Sequence, residues 1–208
     1  DHEGIEVLKH IANRKGSVLG PHTILKVDHW PGMQSRKLPA SIDGAPNFRG
    51  LREVGVFAGA LPTIDGIRNV LQSIGSGPAS PEGSPPAVWH NMREEPVLYI
   101  NGTPYVLREI ARPFKNMREY DGIDAQRLEG MEERLKEDIL AEAKANNNMV
   151  LLSHETPPND SAGNMKLSML LHGWEALESV KVPAEVFADL AGEGYAVRYW
   201  RGPVTDGA

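Results

Sequence analysis

The chain has 208 residues, of which 40% are apolar, so it fits one α/β-sized domain with a buried core, or one such domain with a loose extension. Its 22 basic and 28 acidic side chains give a net charge of −6, which argues against a general nucleic-acid binder, although a local arginine cluster could still hold an anionic ligand. The sequence has no cysteine, which excludes disulfides and thiolate chemistry within these residues. A sequence without disulfides is compatible with a cytoplasmic location, which we expect. It has neither an apolar run of membrane-spanning length nor a visible signal peptide.

The first third of the chain predicts two helices and two strands. Apolar residues at helical spacing predict a helix over residues 4–14, and short apolar runs predict strands over residues 22–29 and 53–58. The Pro- and Gly-rich residues 39–50 between these strands predict a loop with a defined path. Thr63 is a typical helix N-cap, and the apolar face that follows it predicts the second helix.

The middle of the chain predicts a loop, a strand and a hairpin. Residues 75–86 are rich in Gly, Ser and Pro, which predicts a flexible surface loop. A strand is predicted at Ala87–Asn91. Residues 96–108 predict a β-hairpin, because Asn101-Gly102 is a strong two-residue turn signal between two apolar arms.

The remaining residues predict two helices and two strands. An apolar stripe predicts the longest helix over residues 124–146, and the apolar run after it predicts a central buried strand over residues 149–153. Residues 157–163 predict a loop, Pro183 is a typical first residue of a helix, and residues 195–200 predict the last strand. Strands separated by helices predict an α/β fold in which a mixed central sheet is flanked by helices.

Seven blocks of sequence, in order along nearly the whole chain, carry a resemblance to one known family. The blocks are GSVLGPHTILKVDHWPG (16–32), GAPNFR (44–49), ALPTIDG (60–66), NMREEPVLYINGTPYVLRE (91–109), NMREYDGI (116–123), MEERLKEDILAE (131–142) and VRYWRGPVTD (197–206). Together they resemble the paladin family, which belongs with the phytase-like, protein-tyrosine-phosphatase-type cysteine phosphatases. The resemblance implies a cysteine-phosphatase-like α/β fold.

The resemblance also implies that the chain is one partial repeat. The family's domains continue after the TD segment into a Cys-x5-Arg phosphate loop, and the sequence reaches Ala208 without one. We expect residues 1–208 to form a single phosphatase-like domain or a fragment of one. The first residue is Asp1 rather than Met, which is the reason to consider a fragment. In the complete parent, the resemblance implies hydrolysis of phosphomonoesters (phosphoinositides, inositol phosphates or phosphoproteins) through a phosphocysteine, with no metal and no cofactor.

Four residues are candidates for the site. The resemblance matches Asp206 to the family's general acid. Arg93 follows the predicted strand at Ala87–Asn91, where α/β proteins place ligands, so it is a candidate for a phosphate contact or for an arm that orients the phosphate loop. The alternative for Arg93 is a structural Arg–Glu network. Arg49 and Arg201 are candidates for the rim of an anionic pocket, and the alternative for each is a surface or packing arginine.

Histidines do not complete a metal site in the sequence. His154 and Glu155 follow the predicted buried strand, but their spacing is not His-Glu-x-x-His and nothing else completes a ligand set. We therefore expect a strand-end pair rather than metal ligands.

Three functions remain open from the sequence. The first is a phosphatase in the complete parent, with this chain alone inactive for want of a nucleophile. The second is a pseudophosphatase, a binding or scaffolding module for an anionic phosphorylated ligand. The third is a purely structural interaction piece in a larger assembly, which contacts protein partners or other repeats of the parent.

Overall fold

The computed structural model describes residues 2–28, 42–81, 83–156 and 169–205. The helices of the described residues are α1 (His2–Ala12), α2 (Ile64–Ser73), α3 (Ala125–Ala145) and α4 (Pro183–Gly192). The strands are β1 (Thr23–Val27), β2 (Arg49–Leu51), β3 (Val56–Ala58), β4 (Ala87–Asn91), β5 (Val97–Ile100), β6 (Thr103–Glu109), β7 (Met149–Glu155), β8 (Leu170–Ala176), β9 (Val180–Lys181) and β10 (Val197–Arg201). None of the described helices is both long enough and apolar enough to cross a membrane.

A six-stranded mixed sheet forms the centre of the fold, in the order β8-β7-β1-β6-β5-β9. Strand β1 pairs in parallel with β7 and antiparallel with β6. The hairpin predicted from Asn101-Gly102 is confirmed as β5 and β6, with Ile100 opposite Thr103. Both turn residues have positive φ (49° and 80°), as a tight two-residue hairpin turn requires.

Helices cover both faces of this sheet. On one face, α3 packs Leu135, Ile139 and Ala143 against a cluster that includes Leu25 and Val150. On the other face, α1 buries Ile11 against β1 and β7, while α2 and α4 pack over β5 and β6. The predicted mixed sheet flanked by helices is therefore confirmed.

Local sequence features fix where the helices begin. The Thr63 hydroxyl accepts a hydrogen bond from the Gly66 N–H at 3.0 Å, and the Asp124 carboxylate accepts one from the Arg127 N–H at 2.8 Å. These caps satisfy N–H groups that the first turn of a helix leaves unpaired. Pro183 begins α4, as predicted.

Four of the observed strands differ from the prediction. The strand expected over residues 53–58 was wrong in its first half, because Arg52–Val54 forms a 3₁₀ turn and only Val56–Ala58 is strand, paired with β2 in an exposed hairpin. Strand β2, which begins inside the predicted loop over residues 39–50, was missed, and so were β8 and β9. The half-exposed β8 sequence LLHGWEA has no clean apolar alternation, so its period is not readable.

The described part of residues 75–86 has no helix or strand, and its flexibility stays a prediction.

Candidate functional site

Strands β4 and β10 bring two predicted site segments together. They form a separate two-stranded parallel sheet, in register from Val197 opposite Ala87 to Arg201 opposite Asn91. Beyond the strands, the Gly202 N–H donates to the Asn91 carbonyl at 3.0 Å. Since parallel strands end at the same edge, the segments that follow them run side by side.

Arg93 lies at this edge, directly after β4. Its guanidinium donates a hydrogen bond to the Asp28 carboxylate, just beyond β1, and lies 3.8 Å from the Glu95 carboxylate. Its side chain stays 27% exposed, while that of Glu95 is 2% exposed. Because two carboxylates hold the guanidinium and the side chain is partly exposed, Arg93 could bind an anion with little further loss of side-chain freedom.

Glu95 joins Arg93 to a second, buried arginine. Arg108 on β6 donates to Glu95 at 2.8 Å and to the Asn116 side chain at 2.9 Å. Burial lowers the pKa of Arg108, and the Glu95 charge opposes that shift. Glu95 therefore connects the end of β4 to the central sheet.

Arg201 is buried in the same network. Its guanidinium lies 2.9 Å from the Glu132 carboxylate of α3 and donates to the Glu95 main-chain carbonyl at 3.1 Å. Glu132 also accepts from the Val97 N–H at 2.9 Å. Burial raises the pKa of Glu132 to about 7, and the Arg201 charge opposes the shift. Arg201 thus ties the last strand to the longest helix.

Glu94 fixes the loop after β10. One of its carboxylate oxygens accepts from the Thr205 hydroxyl at 2.7 Å and from the Gly122 N–H at 2.6 Å. Glu94 is buried, whereas Gly122 is exposed, so the two contacts lie at the edge of the buried network. The chain is therefore anchored immediately before the predicted general acid, Asp206, which lies outside the described residues.

The structure brings together two of the four predicted site residues. Arg93 and Arg201 share Glu95, through its carboxylate and its carbonyl respectively. Arg49 is exposed on β2, where its guanidinium donates to the Asn47 carbonyl at 2.9 Å. A role for each of these arginines in phosphate binding stays a prediction.

Sequence reasoning missed several members of the network. The partners that it did not identify are Asp28, Arg108, Asn116, Glu132 and Thr205. The run REEP was the available signal, since consecutive charges beside an apolar strand need buried partners. The identity of those partners depends on long-range contacts and is not encoded locally.

Other polar groups of the described residues lie outside the Arg93 network. No group of three or more His, Asp or Glu residues in the described ranges is placed to hold a metal ion. His154 pairs with Glu175, whereas Glu155 pairs with Lys26, so the two neighbours have separate partners. A cavity of about 400 Å³ lies between α2, the hairpin turn and α4, away from the Arg93 network.

Comparisons with known proteins bear on the fold and the family of this chain. A family model for PTP-like phytases, with the description "inositol hexakisphosphate", matches residues 90–208. The tandemly repeated protein tyrosine phosphatase-like phytase of Mitsuokella multacida superposes with a TM-score of 0.51 at 16% identity, over 89% of this chain and 28% of that one. The PTP-like myo-inositol phosphatase of Mitsuokella multacida in complex with myo-inositol-(1,3,4,5)-tetrakisphosphate gives a TM-score of 0.52, with the same identity and coverage.

These matches differ in what they establish. At 16% identity the two solved structures show a shared fold, and the chain spans 28% of their length. No curated protein matches the chain in sequence. The family model covers more than half of the residues, and the chain therefore belongs to the PTP-like phytase family.

Proposed function

We propose that this chain is the phosphate-binding part of a paladin-type domain within the PTP-like phytase family. The complete parent would hydrolyse phosphomonoesters, with inositol phosphates as the substrate class that the family match favours. The observation that carries the proposal is Arg93, which is held by Asp28 and Glu95 at the shared carboxyl edge of β4 and β10. Open α/β sheets bind ligands at this position.

The network makes Arg93 a suitable phosphate ligand. Two carboxylates orient its planar guanidinium, the side chain is 27% exposed, and a guanidinium fork suits the oxygens of a phosphate. Arg108 and Arg201 lie behind it and keep the buried Glu95 in place. These two arginines would not contact the ligand themselves. They would hold Glu95, and Glu95 would hold Arg93 in position.

The chemistry of the parent would take two steps. A thiolate attacks phosphorus, so that an S–P bond forms as the P–O bond to the leaving group breaks, and Asp206 donates a proton to the leaving oxygen. Water then cleaves the S–P bond and releases phosphate. The 208 residues contain no cysteine, so we expect this chain alone to bind its ligand without turning it over.

A second candidate function is a pseudophosphatase. A module that only binds needs no nucleophile, and the 208 residues supply none of their own. Such a module would hold an inositol polyphosphate, or a protein partner that carries phosphate, in a scaffolding role. The two candidates share the Arg93 site and differ in whether the parent supplies a thiolate.

Calorimetric titration with myo-inositol hexakisphosphate tests the shared site. We expect Arg93→Ala to weaken binding by roughly tenfold or more, because hydrogen bonds to charged groups contribute about 1.5–3 kcal/mol. Arg68→Ala is the matched control, since Arg68 is also held by two carboxylates, Asp65 and Glu193, but lies at α2. Equal affinities of the two variants would reject the site, and absence of binding by the wild-type protein would reject the function.

A further inference from the structure

The strand order of the central sheet places β8 and β9 at its two opposite edges, although only residues 177–179 separate them in the chain. A connection of this length reaches about 15 Å at most, whereas the five strand spacings of a flat six-stranded sheet would span roughly 24 Å. The sheet therefore curls, and its two edges approach each other where β8 ends and β9 begins.

Asn101, in the turn between β5 and β6, fastens this point. Its side-chain amide donates to the Ala176 carbonyl at 2.8 Å, at the end of β8. Its side-chain oxygen accepts from the main-chain N–H groups of Glu178 and Ser179 at 2.8 and 3.1 Å. The Asn101 N–H also donates to the Ser179 carbonyl at 3.0 Å. These hydrogen bonds join the β5–β6 turn to residues 176–179, and we call them the Asn101 clasp.

Gly102 follows Asn101, and the two form the only Asn-Gly pair in the sequence. An Asn-Gly pair is prone to deamidation, because glycine has no side chain to shield its main-chain nitrogen. That nitrogen attacks the side-chain carbonyl carbon of the asparagine. A C–N bond forms, and the side-chain nitrogen takes up the proton of the attacking N–H and leaves as ammonia. Water then opens the succinimide ring, which gives aspartate or isoaspartate.

The Asn101 clasp opposes this reaction. The side-chain carbon must swing onto the Gly102 nitrogen, so its contacts with residues 176–179 must break first. Gly102 is held from the other side, because the Ile64 N–H donates to its carbonyl at 2.9 Å. We propose that Asn101-Gly102 is a latent deamidation site. The clasp keeps it unreactive in the folded chain, and its conversion loosens the connection between β8 and β9.

Conversion changes both the charge and the shape of the turn. An aspartate at this position keeps two N–H donors for its carboxylate, but its other oxygen then faces the Ala176 carbonyl, so that two acceptors meet. It also places a negative charge beside Glu178. Isoaspartate adds a methylene to the main chain of a two-residue turn, which disturbs the register of Ile100 opposite Thr103. Either product therefore weakens the attachment of β9 to β5.

Peptide mapping by mass spectrometry, after incubation at mildly alkaline pH, measures the reaction. We expect Asn101 to deamidate at least about tenfold more slowly in the folded wild-type protein than in the same protein unfolded in urea, because the reaction in the folded chain requires the clasp to open. The replacement of the side-chain nitrogen by oxygen changes the mass of the peptide that contains residues 101–102, so the site is identified directly.

Two substitutions at one position separate the clasp from the rest of the fold. Glu178→Pro removes an N–H that donates to Asn101 and leaves the Asn-Gly pair unchanged, so deamidation of the folded variant should be at least about fivefold faster than in the wild type. Glu178→Ala keeps this N–H and is the matched control, with a rate within about twofold of the wild type. Equal hydrogen exchange in β7 of both variants would distinguish local opening from a global loss of stability.

Asn101→Asp tests the consequence of the conversion. We expect the amides of Glu178 and Ser179 to exchange roughly tenfold faster in this variant than in the wild type, while exchange in β7 does not change. The deamidated wild-type protein, separated by ion exchange through its added negative charge, should show the same acceleration.

Three results would overturn the inference. They are equal deamidation rates in the folded and unfolded wild-type protein, equal rates in folded Glu178→Pro and Glu178→Ala, and unchanged exchange at Glu178 and Ser179 in Asn101→Asp. If Glu178→Pro does not fold, the first and third comparisons decide. None of these measurements involves a phosphate ligand, so their outcome is independent of the proposed function.

Discussion

Glu132 and Arg201 form a buried ion pair, 2.9 Å apart, that joins the longest helix to the end of the last strand. Both side chains are almost fully excluded from water, at 2% and 1% exposed. Burial of two charges is unfavourable unless each has close partners, and here the Val97 N–H and the Glu95 carbonyl supply them. The pair therefore anchors the end of β10 to α3.

Loss of Arg201 should strongly destabilise the protein. Arg201→Ala leaves the buried Glu132 carboxylate without its counter-charge, and removing one partner of a buried pair typically costs about 3–5 kcal/mol. Arg68→Ala removes an arginine from exposed ion pairs and should change the free energy of unfolding by less than about 1 kcal/mol. Urea denaturation at pH 8 measures both. Similar values for the two variants would show that the pair does not contribute as argued.

Stability should fall between pH 4.5 and pH 7 because of Glu132. Its pKa is raised by burial from 4.5 to about 7, so in this window the folded protein keeps a proton that the unfolded chain has released. Its stabilising effect is complete below the unfolded pKa and is lost as pH rises through the folded pKa, a change of about 3 kcal/mol. Glu132→Gln, which resembles the protonated form, should reduce this slope in unfolding measurements across pH. An unchanged slope would contradict the assignment.

The loop after β10 should loosen when Thr205 loses its hydroxyl. Thr205→Val keeps the shape of the side chain but leaves Glu94 without one of its donors, so the loss should be about 1–2 kcal/mol of local stability. Amide hydrogen exchange at Val204 should become faster by roughly tenfold, whereas exchange in β7 should not change. Unaltered exchange at Val204 would show that the Glu94 contact does not hold the loop.

Binding of inositol hexakisphosphate should weaken with salt, and Arg93 should account for part of that dependence. Exposed charges are screened over about 10 Å at 0.1 M salt, so the affinity should fall as ionic strength rises. Arg93→Ala should give a shallower dependence than Arg68→Ala, because it removes a cation from the site. Identical slopes for the two variants would argue against a direct contact between Arg93 and the ligand.

The structural features that were predicted best from the sequence are those that depend on a few neighbouring residues. The hairpin at Asn101-Gly102 and the helix starts at Thr63 and Asp124 depend on neighbouring residues, and the structure confirms them. Strand β8 was missed, because an edge strand with half-exposed residues carries no readable period. Arg93 was identified as a candidate from its place after a predicted strand, and Arg201 from its place beside the TD segment.

The partners of those arginines could not be predicted in the same way. Arg201 meets Glu132, and Arg93 meets Asp28, across 69 and 65 positions of sequence, so the contacts exist only once the sheet and α3 have assembled. The run Arg93-Glu94-Glu95 shows that charges must be buried near β5, but it does not show that Glu94 holds Thr205 while Glu95 holds Arg108. Long-range packing therefore decides the geometry of the site.

Chemical-shift mapping by NMR during titration with myo-inositol hexakisphosphate tests the central claim most directly. We predict saturable shifts at the backbone amides of residues 92–95 and of Gly202, Val204 and Thr205, at the shared edge of β4 and β10. The cavity bounded by Arg68 and Lys181 should show no comparable change. Shifts confined to that cavity, or no saturable shift at the Arg93 amide, would contradict the proposed phosphate site.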